Sequence, residues 1–76
     1  MRPMQHLDAR GKSCPLPIVL TAKAVKNLAI GEELAVRAND RAFVLDIEAW
    51  CKKTGHELLG IETKDGFFEA TLRRTQ

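Results

Sequence analysis

The sequence predicts a two-layer α/β (α+β) sandwich in which a mixed four-stranded sheet carries two helices on one face. Two segments place apolar residues at helical spacing, and four short segments have the alternation and composition of strands. Their order is β-α-β-α-β-β, which packs most economically in two layers around one core. Because 76 residues can enclose one such core but not two, we expect a single domain over residues 1–76.

The first half of the chain predicts two strands joined by a helix. Residues 4–9 alternate weakly and form the first strand, with Leu7 and Ala9 on the same side, and residues 33–38 form the second. A helix over residues 15–28 connects them by a right-handed crossover, which makes the two strands parallel. The predicted core-facing residues of this helix are Ile18, Val19, Ala22, Val25, Leu28 and Ala29.

The second half predicts a helix followed by a β-hairpin. Asp40 is a candidate N-cap for the helix, and Gly55 suits the position just after its end. The Asp65-Gly66 pair between two strand-like segments is typical of a tight hairpin turn. The predicted elements are a helix over 41–54, strands over 57–63 and 67–73, and a helical apolar stripe of Phe43, Val44, Ile47, Trp50 and Cys51.

Composition and charge narrow the function classes. Apolar residues make up 45% and charged residues 29% of the chain, and a net charge of +2 permits contact with RNA or an acidic surface without requiring it. The Arg73-Arg74 pair is predicted to be a solvated chain end. Residues 1–6 lack an apolar segment after their charge, and no apolar run is long enough to span a membrane. We therefore expect no signal peptide and a cytoplasmic location.

Residues 11–17, Gly-Lys-Ser-Cys-Pro-Leu-Pro, are the most informative stretch of the chain. Proline is tolerated in the first helical turn, where its missing N–H has no helical partner. If Cys14 is the N-cap, Pro15 and Pro17 fall at the first and third helical positions. This register places the Cys14 sulfur at the start of the helix, where the Leu16 N–H and the positive end of the helix dipole would stabilise an anion.

Cys14 is accordingly predicted to be a reactive thiol. Thiols react as thiolates, and a helix N-terminus with nearby cations such as Arg10 and Lys12 lowers a thiol pKa. Gly11 turns the chain into the loop, and Asp8 is predicted to orient that loop by accepting backbone N–H bonds. The alternative is a buried structural cysteine, which would not need this loop and this double-proline helix start.

Other combinations of potentially functional residues are weaker indications of a site. Cys51 lies on the apolar stripe of the second helix and is predicted to belong to the core, although a redox pair with Cys14 is a third hypothesis. His6 and His56, taken with the cysteines, match no standard zinc spacing, so we expect no metal. No catalytic triad, phosphate-binding glycine loop or pair of acid–base carboxylates can be assembled. A nucleophilic cysteine without an identifiable base suggests a thiol that receives a group, and sulfur in a persulfide is the natural cargo.

These motifs together resemble the TusA (SirA-like) family of small sulfur-carrier proteins, and the resemblance covers residues 7–74. Cys-Pro-x-Pro is a specific signal in so short a chain. The matching segments are Leu7-Asp8-x-x-Gly11-x-x-Cys14-Pro15-x-Pro17, Gly31-Glu32, Asp40, Asp46-Ile47 and Gly55-His56-Glu57-Leu58. Two positions depart from the pattern: Leu16 stands where members that act in tRNA thiolation carry an acidic residue, and Arg41 where proline is common.

The resemblance implies a bacterial, cytoplasmic carrier with the fold predicted above. Cys14 would accept sulfane sulfur as a persulfide from a cysteine desulfurase or a rhodanese-like donor and pass it to an acceptor protein, for tRNA 2-thiolation, molybdenum-cofactor synthesis or sulfur oxidation. We expect a stoichiometric carrier and a monomer, with no cofactor beyond the covalent persulfide and no direct contact with nucleic acid or membrane. The alternative is a non-catalytic RNA- or protein-binding module, because the same fold occurs in a translation initiation factor domain.

Overall fold

The computed structural model describes residues 4–76 and confirms the predicted fold class. Residues 1–3, which belong to the segment on which the signal-peptide expectation rests, lie outside the described residues. The elements are β1 (Gln5–Asp8), α1 (Leu16–Lys26), β2 (Glu33–Ala38), α2 (Phe43–Thr54), β3 (Glu57–Lys64) and β4 (Phe67–Arg73). No helix within residues 4–76 is both long enough and apolar enough to cross a membrane.

The four strands form one mixed sheet in the order β1-β2-β4-β3. β1 and β2 are parallel, whereas β4 is antiparallel to both of its neighbours. The two helices contact each other as well as the sheet, which places them together on one face. Because each helix follows one of the two parallel strands, both helices begin at the same edge of the sheet, and the functional loop lies at that edge.

The core lies between the helices and one face of the sheet. β2 is buried at Leu34, Ala35, Val36 and Ala38. Phe43, Ile47 and Cys51 form the buried stripe of α2. The stripe of α1 was predicted correctly at Val25 and Leu28 but not throughout, because Val19 and Ala29 are exposed while Thr21 is fully buried. The Thr21 hydroxyl donates to the Pro17 carbonyl 2.7 Å away, which lets a polar side chain enter the core without an unsatisfied group.

The Arg73-Arg74 pair is not simply a solvated chain end. Arg73 bridges Glu33 on β2 and Glu57 on β3, each at 3.1 Å. Arg74 directs its guanidinium to backbone carbonyls at the C-terminal end of α1, including those of Val25 and Leu28. Both cations are thus engaged in holding elements together, so they do not form a basic patch free for nucleic acid.

The second helix begins two residues later than predicted. Its N-cap is Ala42, without a side-chain cap, so the expectation that Asp40 caps α2 through its side chain is wrong. The Asp40 carbonyl, not its carboxylate, accepts the Phe43 N–H at 3.1 Å. At the other end, Gly55 adopts φ 84°, a left-handed conformation that favours glycine, and its N–H donates to the Cys51 carbonyl as predicted for a C-terminal glycine.

Candidate functional site

Cys14 is exposed in the loop that joins β1 to α1. The start of this loop is fixed to the sheet, because the Ala9 N–H donates to the Arg37 carbonyl at 2.7 Å just beyond the last β1–β2 pair. Ala9 itself is fully buried, whereas residues 10–16 are exposed. The thiol therefore lies on a surface loop that is anchored at its base, and it can be approached from solvent.

The β2–α2 turn fixes the Cys14 loop through two side chains. The Gly11 N–H donates to Asn39 Oδ1 at 2.9 Å, and the Cys14 N–H donates to Asp40 Oδ2 at 3.2 Å. Gly11 has φ 82°, so its position in the turn favours glycine. Asn39 and Asp40 thus hold the loop in place. They are more than 25 residues away in sequence, so no local motif could have predicted these contacts.

Asp8 orients the loop, as the sequence predicted. Its carboxylate accepts the Arg10 backbone N–H at 3.1 Å and the Arg10 guanidinium at 2.9 Å. The hydrogen bonds from Arg10 lower the pKa of Asp8 to about 2. The Arg10 guanidinium also lies 5.1 Å from the centre of the Phe67 ring, so it is engaged with Asp8 and the sheet.

The start of α1 differs from the prediction by one residue. Pro15, not Cys14, is the N-cap, and Pro17 falls in the first turn one position earlier than expected. The Cys14–Pro15 peptide bond is cis. The Leu16 N–H, predicted to stabilise a sulfur anion, donates instead to the Ser13 carbonyl at 2.8 Å. The role assigned to the Leu16 N–H was therefore wrong, because the loop itself takes up that donor.

The immediate partner of the Cys14 sulfur is a carboxylate. The Sγ–H donates to Asp46 Oδ2 at 3.1 Å, from the first turn of α2. This hydrogen bond, partial desolvation and the negative charges of Asp46 and Asp40 raise the pKa of the Cys14 thiol. The prediction of a lowered pKa was wrong, since neither Arg10 nor Lys12 is among the groups that act on this thiol.

Asp40 and Asp46 are the functional residues that sequence reasoning missed in this role. Both appeared in the family-like pattern, but their proximity to Cys14 depends on the tertiary structure. A signal did exist: α1 and α2 each follow one of two parallel strands, so the loops that precede them share an edge of the sheet. Acidic residues at the start of α2 could on that basis have been placed near Cys14.

The donor atoms of Cys14, Asp40 and Asp46 lie within 4.8 Å of one another. Their closeness is explained by two hydrogen bonds, from the Cys14 N–H to Asp40 and from the Cys14 Sγ–H to Asp46. These contacts give no reason to assign a metal, and the expected absence of one stays a prediction. Neither His6 nor His56 belongs to this group of the described residues, and the His56 Nδ1 accepts the Thr75 N–H at 3.2 Å.

Large apolar side chains are exposed on both helices. Leu16 and Val19 lie in the first turns of α1, and Leu45 precedes Asp46 in α2. Leu45 has 72% of its surface exposed, which is unusual for a leucine. By contrast, Cys51 is only 4% exposed and belongs to the core cluster, which confirms its predicted structural role. Both cysteines are free thiols.

The family model described as "Sulfurtransferase TusA" matches residues 5–74 of this chain. The chain belongs to the TusA family. Its predicted family resemblance is thereby confirmed. A crystal structure of a SirA-like protein from Desulfitobacterium hafniense has the same fold, with a TM-score of 0.84 at 24% identity over 96% of this chain and 100% of that chain.

Two relatives of this TusA-family chain illustrate its range. "Sulfur carrier protein TusA" from Allochromatium vinosum is 37% identical over 71 residues, which cover 93% of each chain. "Putative sulfur carrier protein YrkF" from Bacillus subtilis is 47% identical over 68 residues. That match covers 90% of this chain but 37% of the relative, so the chain corresponds to only one part of YrkF.

Proposed function

We propose that this protein is a sulfur carrier that holds sulfane sulfur as a persulfide on Cys14 and delivers it to an acceptor protein. The observation that carries the proposal is the position of Cys14: a free, exposed thiol on a loop anchored to the sheet edge. A thiol displayed in this way can be reached by the active-site cysteine of another protein. The names of the A. vinosum and B. subtilis relatives support the same role.

The transfer is a thiol–persulfide exchange in which the number of atoms and electrons is conserved. Cys14 Sγ attacks the terminal sulfur of a donor persulfide, R–S–SH, and forms a new S–S bond. The donor S–S bond breaks and its electron pair leaves with R–S⁻, which ends as R–SH after taking up a proton. The products are the donor thiol and Cys14–S–SH, so no external oxidant, metal or cofactor is required. Delivery to an acceptor thiol is the reverse exchange.

The surrounding residues support this exchange by presenting the sulfur. Gly11 and Asp8 shape the loop, and Pro15 and Pro17 lie at the start of α1, where a proline removes no helical hydrogen bond. Lys12 is exposed beside the cysteine and remains, with the exposed side chain of Leu16, a candidate contact for partner proteins. The partners we propose are a cysteine desulfurase or a rhodanese-like donor and a sulfur-accepting protein, all in the cytoplasm, with the carrier acting stoichiometrically as a monomer.

The test is intact-protein mass spectrometry after incubation with a cysteine desulfurase and cysteine. We expect the wild-type protein to gain one sulfur, to lose it on reduction, and to gain none as Cys14→Ser. Cys51→Ala is the matched control and should be loaded like the wild type. A Cys14→Ser protein that still accepted sulfur would contradict the assignment of Cys14.

A second donor distinguishes the possible branches. A protein that is loaded by a rhodanese and not by the desulfurase would favour sulfur oxidation over tRNA thiolation as its context. Failure with both donors would contradict the carrier function and favour a binding module of the same fold. Leu16 is exposed and replaces the acidic residue of members that act in tRNA thiolation. Loading by a rhodanese therefore needs to be tested as well as loading by a desulfurase.

A further inference from the structure

The environment of Cys14 poses a chemical problem for a sulfur acceptor. The nucleophile in thiol exchange is the thiolate, yet among residues 4–76 the charged groups that shift the pKa of this thiol are the carboxylates of Asp46 and Asp40. The Leu16 N–H is donated to Ser13, and the first turn of α1 contains no charged residue. The means by which thiols are usually activated, a helix N–H and nearby cations, are thus not directed at this one.

The two carboxylates accept hydrogen bonds from different atoms of Cys14. Asp40 Oδ2 accepts the Cys14 backbone N–H at 3.2 Å, so it fixes the loop and acts on the sulfur only through its charge. Asp46 Oδ2 accepts the Sγ–H itself at 3.1 Å. Asp46 is therefore within reach of the proton that must leave when Cys14 forms a new S–S bond, which is the geometric requirement for a general base.

We propose that Asp46 is a catalytic residue of sulfur loading, whose carboxylate accepts the Sγ–H proton as Cys14 attacks the terminal sulfur of a donor persulfide. The inference rests on the carrier function proposed above and adds to it the group that activates the thiol. At rest, the same hydrogen bond favours the protonated thiol and so slows the reaction of Cys14 with other electrophiles.

The proton balance of the step is complete. As the Cys14 Sγ–S bond forms and the donor S–S bond breaks, the Sγ–H proton passes to Asp46 Oδ2 and the electron pair leaves with the donor thiolate. Asp46 then returns the proton to that thiolate, which leaves as R–SH. Since carboxylates as a class are weaker bases than thiolates, the proton transfer is productive only while the S–S bond forms. Asp46 is unchanged at the end, and Cys14 carries S–SH.

The charged residues around Cys14 come from three parts of the fold. Asp40 comes from the β2–α2 turn, Asp46 from α2, and Lys12 and Arg10 from the loop of Cys14 itself, with Arg10 held by Asp8. Removing the Asp46 charge should therefore have two opposite consequences. The thiolate population should rise, because the main cause of the raised thiol pKa is lost, while the proton acceptor for loading disappears.

The experiment measures both consequences in the same variants. Alkylation by iodoacetamide reports the thiolate population of Cys14, and single-turnover loading from glutathione persulfide, followed by intact mass, reports the transfer. Both are measured across a pH series for the wild type, Asp46→Asn, Asp46→Glu and Glu48→Gln. Glu48 is exposed on the same helix, and Glu48→Gln makes the same charge change outside the site. Thermal unfolding shows whether each variant is folded.

We expect Asp46→Asn to be alkylated faster than the wild type below the thiol pKa and yet to be loaded about 10-fold more slowly or worse. Asp46→Glu should regain part of the loading rate, because it restores a carboxylate, and Glu48→Gln should change neither rate. If Asp46→Asn is loaded faster in proportion to its alkylation, or if neither rate changes, Asp46 is not a proton acceptor and this inference is overturned while the carrier function stands. If no persulfide donor loads the wild-type protein, the carrier function is overturned, and this inference is overturned with it.

Discussion

Cys14 and Cys51 are the same side chain in two contrasting environments, and the pKa of the thiol is raised in both. At Cys14 the main cause is the hydrogen bond to the Asp46 carboxylate, whereas at Cys51 it is burial in the core. Cys14 is exposed on a loop, and Cys51 is 4% exposed on the buried stripe of α2. The pKa of both thiols is thus raised, but for two different physical reasons. Access to a partner, and a group that can accept the proton, distinguish the candidate carrier from the structural cysteine.

The largest effect expected from this contrast concerns access. In the native protein iodoacetamide should modify Cys14 and leave Cys51 protected, with rates that differ on the order of 1,000-fold or more, because Cys51 is exposed only when the domain opens. Alkylation followed by peptide mass spectrometry measures both sites in one sample. Comparable rates at the two cysteines would show that the core around Cys51 is not closed, and the comparison would fail.

The next effect concerns stability. Ile47→Ala removes a fully buried side chain one helical turn before Cys51 and should lower the free energy of unfolding by about 2–5 kcal/mol. Leu45→Ala, two residues away on the same helix, removes a side chain that is 72% exposed and should change it by less than about 0.5 kcal/mol. Urea unfolding measures both.

The same pair of variants links stability to thiol access. Ile47→Ala should speed the alkylation of Cys51 in step with its loss of stability and leave the rate at Cys14 unchanged. An equal loss of stability in Leu45→Ala and Ile47→Ala would contradict the assignment of core and surface on α2.

The smallest effect is a shift in pH dependence. Because the charge of Asp40 raises the pKa of the Cys14 thiol, Asp40→Asn should move the midpoint of the Cys14 alkylation profile to lower pH. Asp65→Asn makes the same charge change in the β3–β4 turn, and Asp65 is not among the charges that act on this thiol, so its midpoint should stay in place.

The sign of the linked stability effect follows from the raised pKa. The folded protein binds the Cys14 proton more tightly than the unfolded chain does, so this contact stabilises the fold at pH values below the thiol pKa of the unfolded chain. Its contribution is lost as the pH rises through the folded-state pKa. An alkylation midpoint below that of the urea-unfolded chain would contradict the assigned environment of Cys14.

The contrast between the two cysteines also shows what the sequence can predict. β2, β4 and the burial of Cys51 follow from short-range periodicity, and the structure has them where the alternation and the helical stripe place them. Helix starts are less certain, since the loop residues around them compete for the same donors. Ser13 takes the Leu16 N–H, and α1 therefore begins one residue later than the prolines suggested.

The environment of Cys14 could not be obtained from local sequence. The atoms that decide its protonation belong to Asp40 and Asp46, 26 and 32 residues further along the chain. Local reasoning included the cations that are near in sequence, Arg10 and Lys12, and so predicted the wrong direction for the thiol pKa. The parallel pairing of β1 and β2 brings the two loops together, and that pairing is the step from which the acidic neighbours follow.

The most direct test of the central claim is to locate the transferred sulfur in the wild-type protein with both cysteines present. After incubation with a persulfide-forming donor, the protein is alkylated and cleaved with trypsin, which separates Cys14 in residues 13–23 from Cys51 in residues 42–52. We predict one additional sulfur on the peptide of Cys14 and none on that of Cys51. Additional sulfur on the Cys51 peptide, or on neither, would contradict the account.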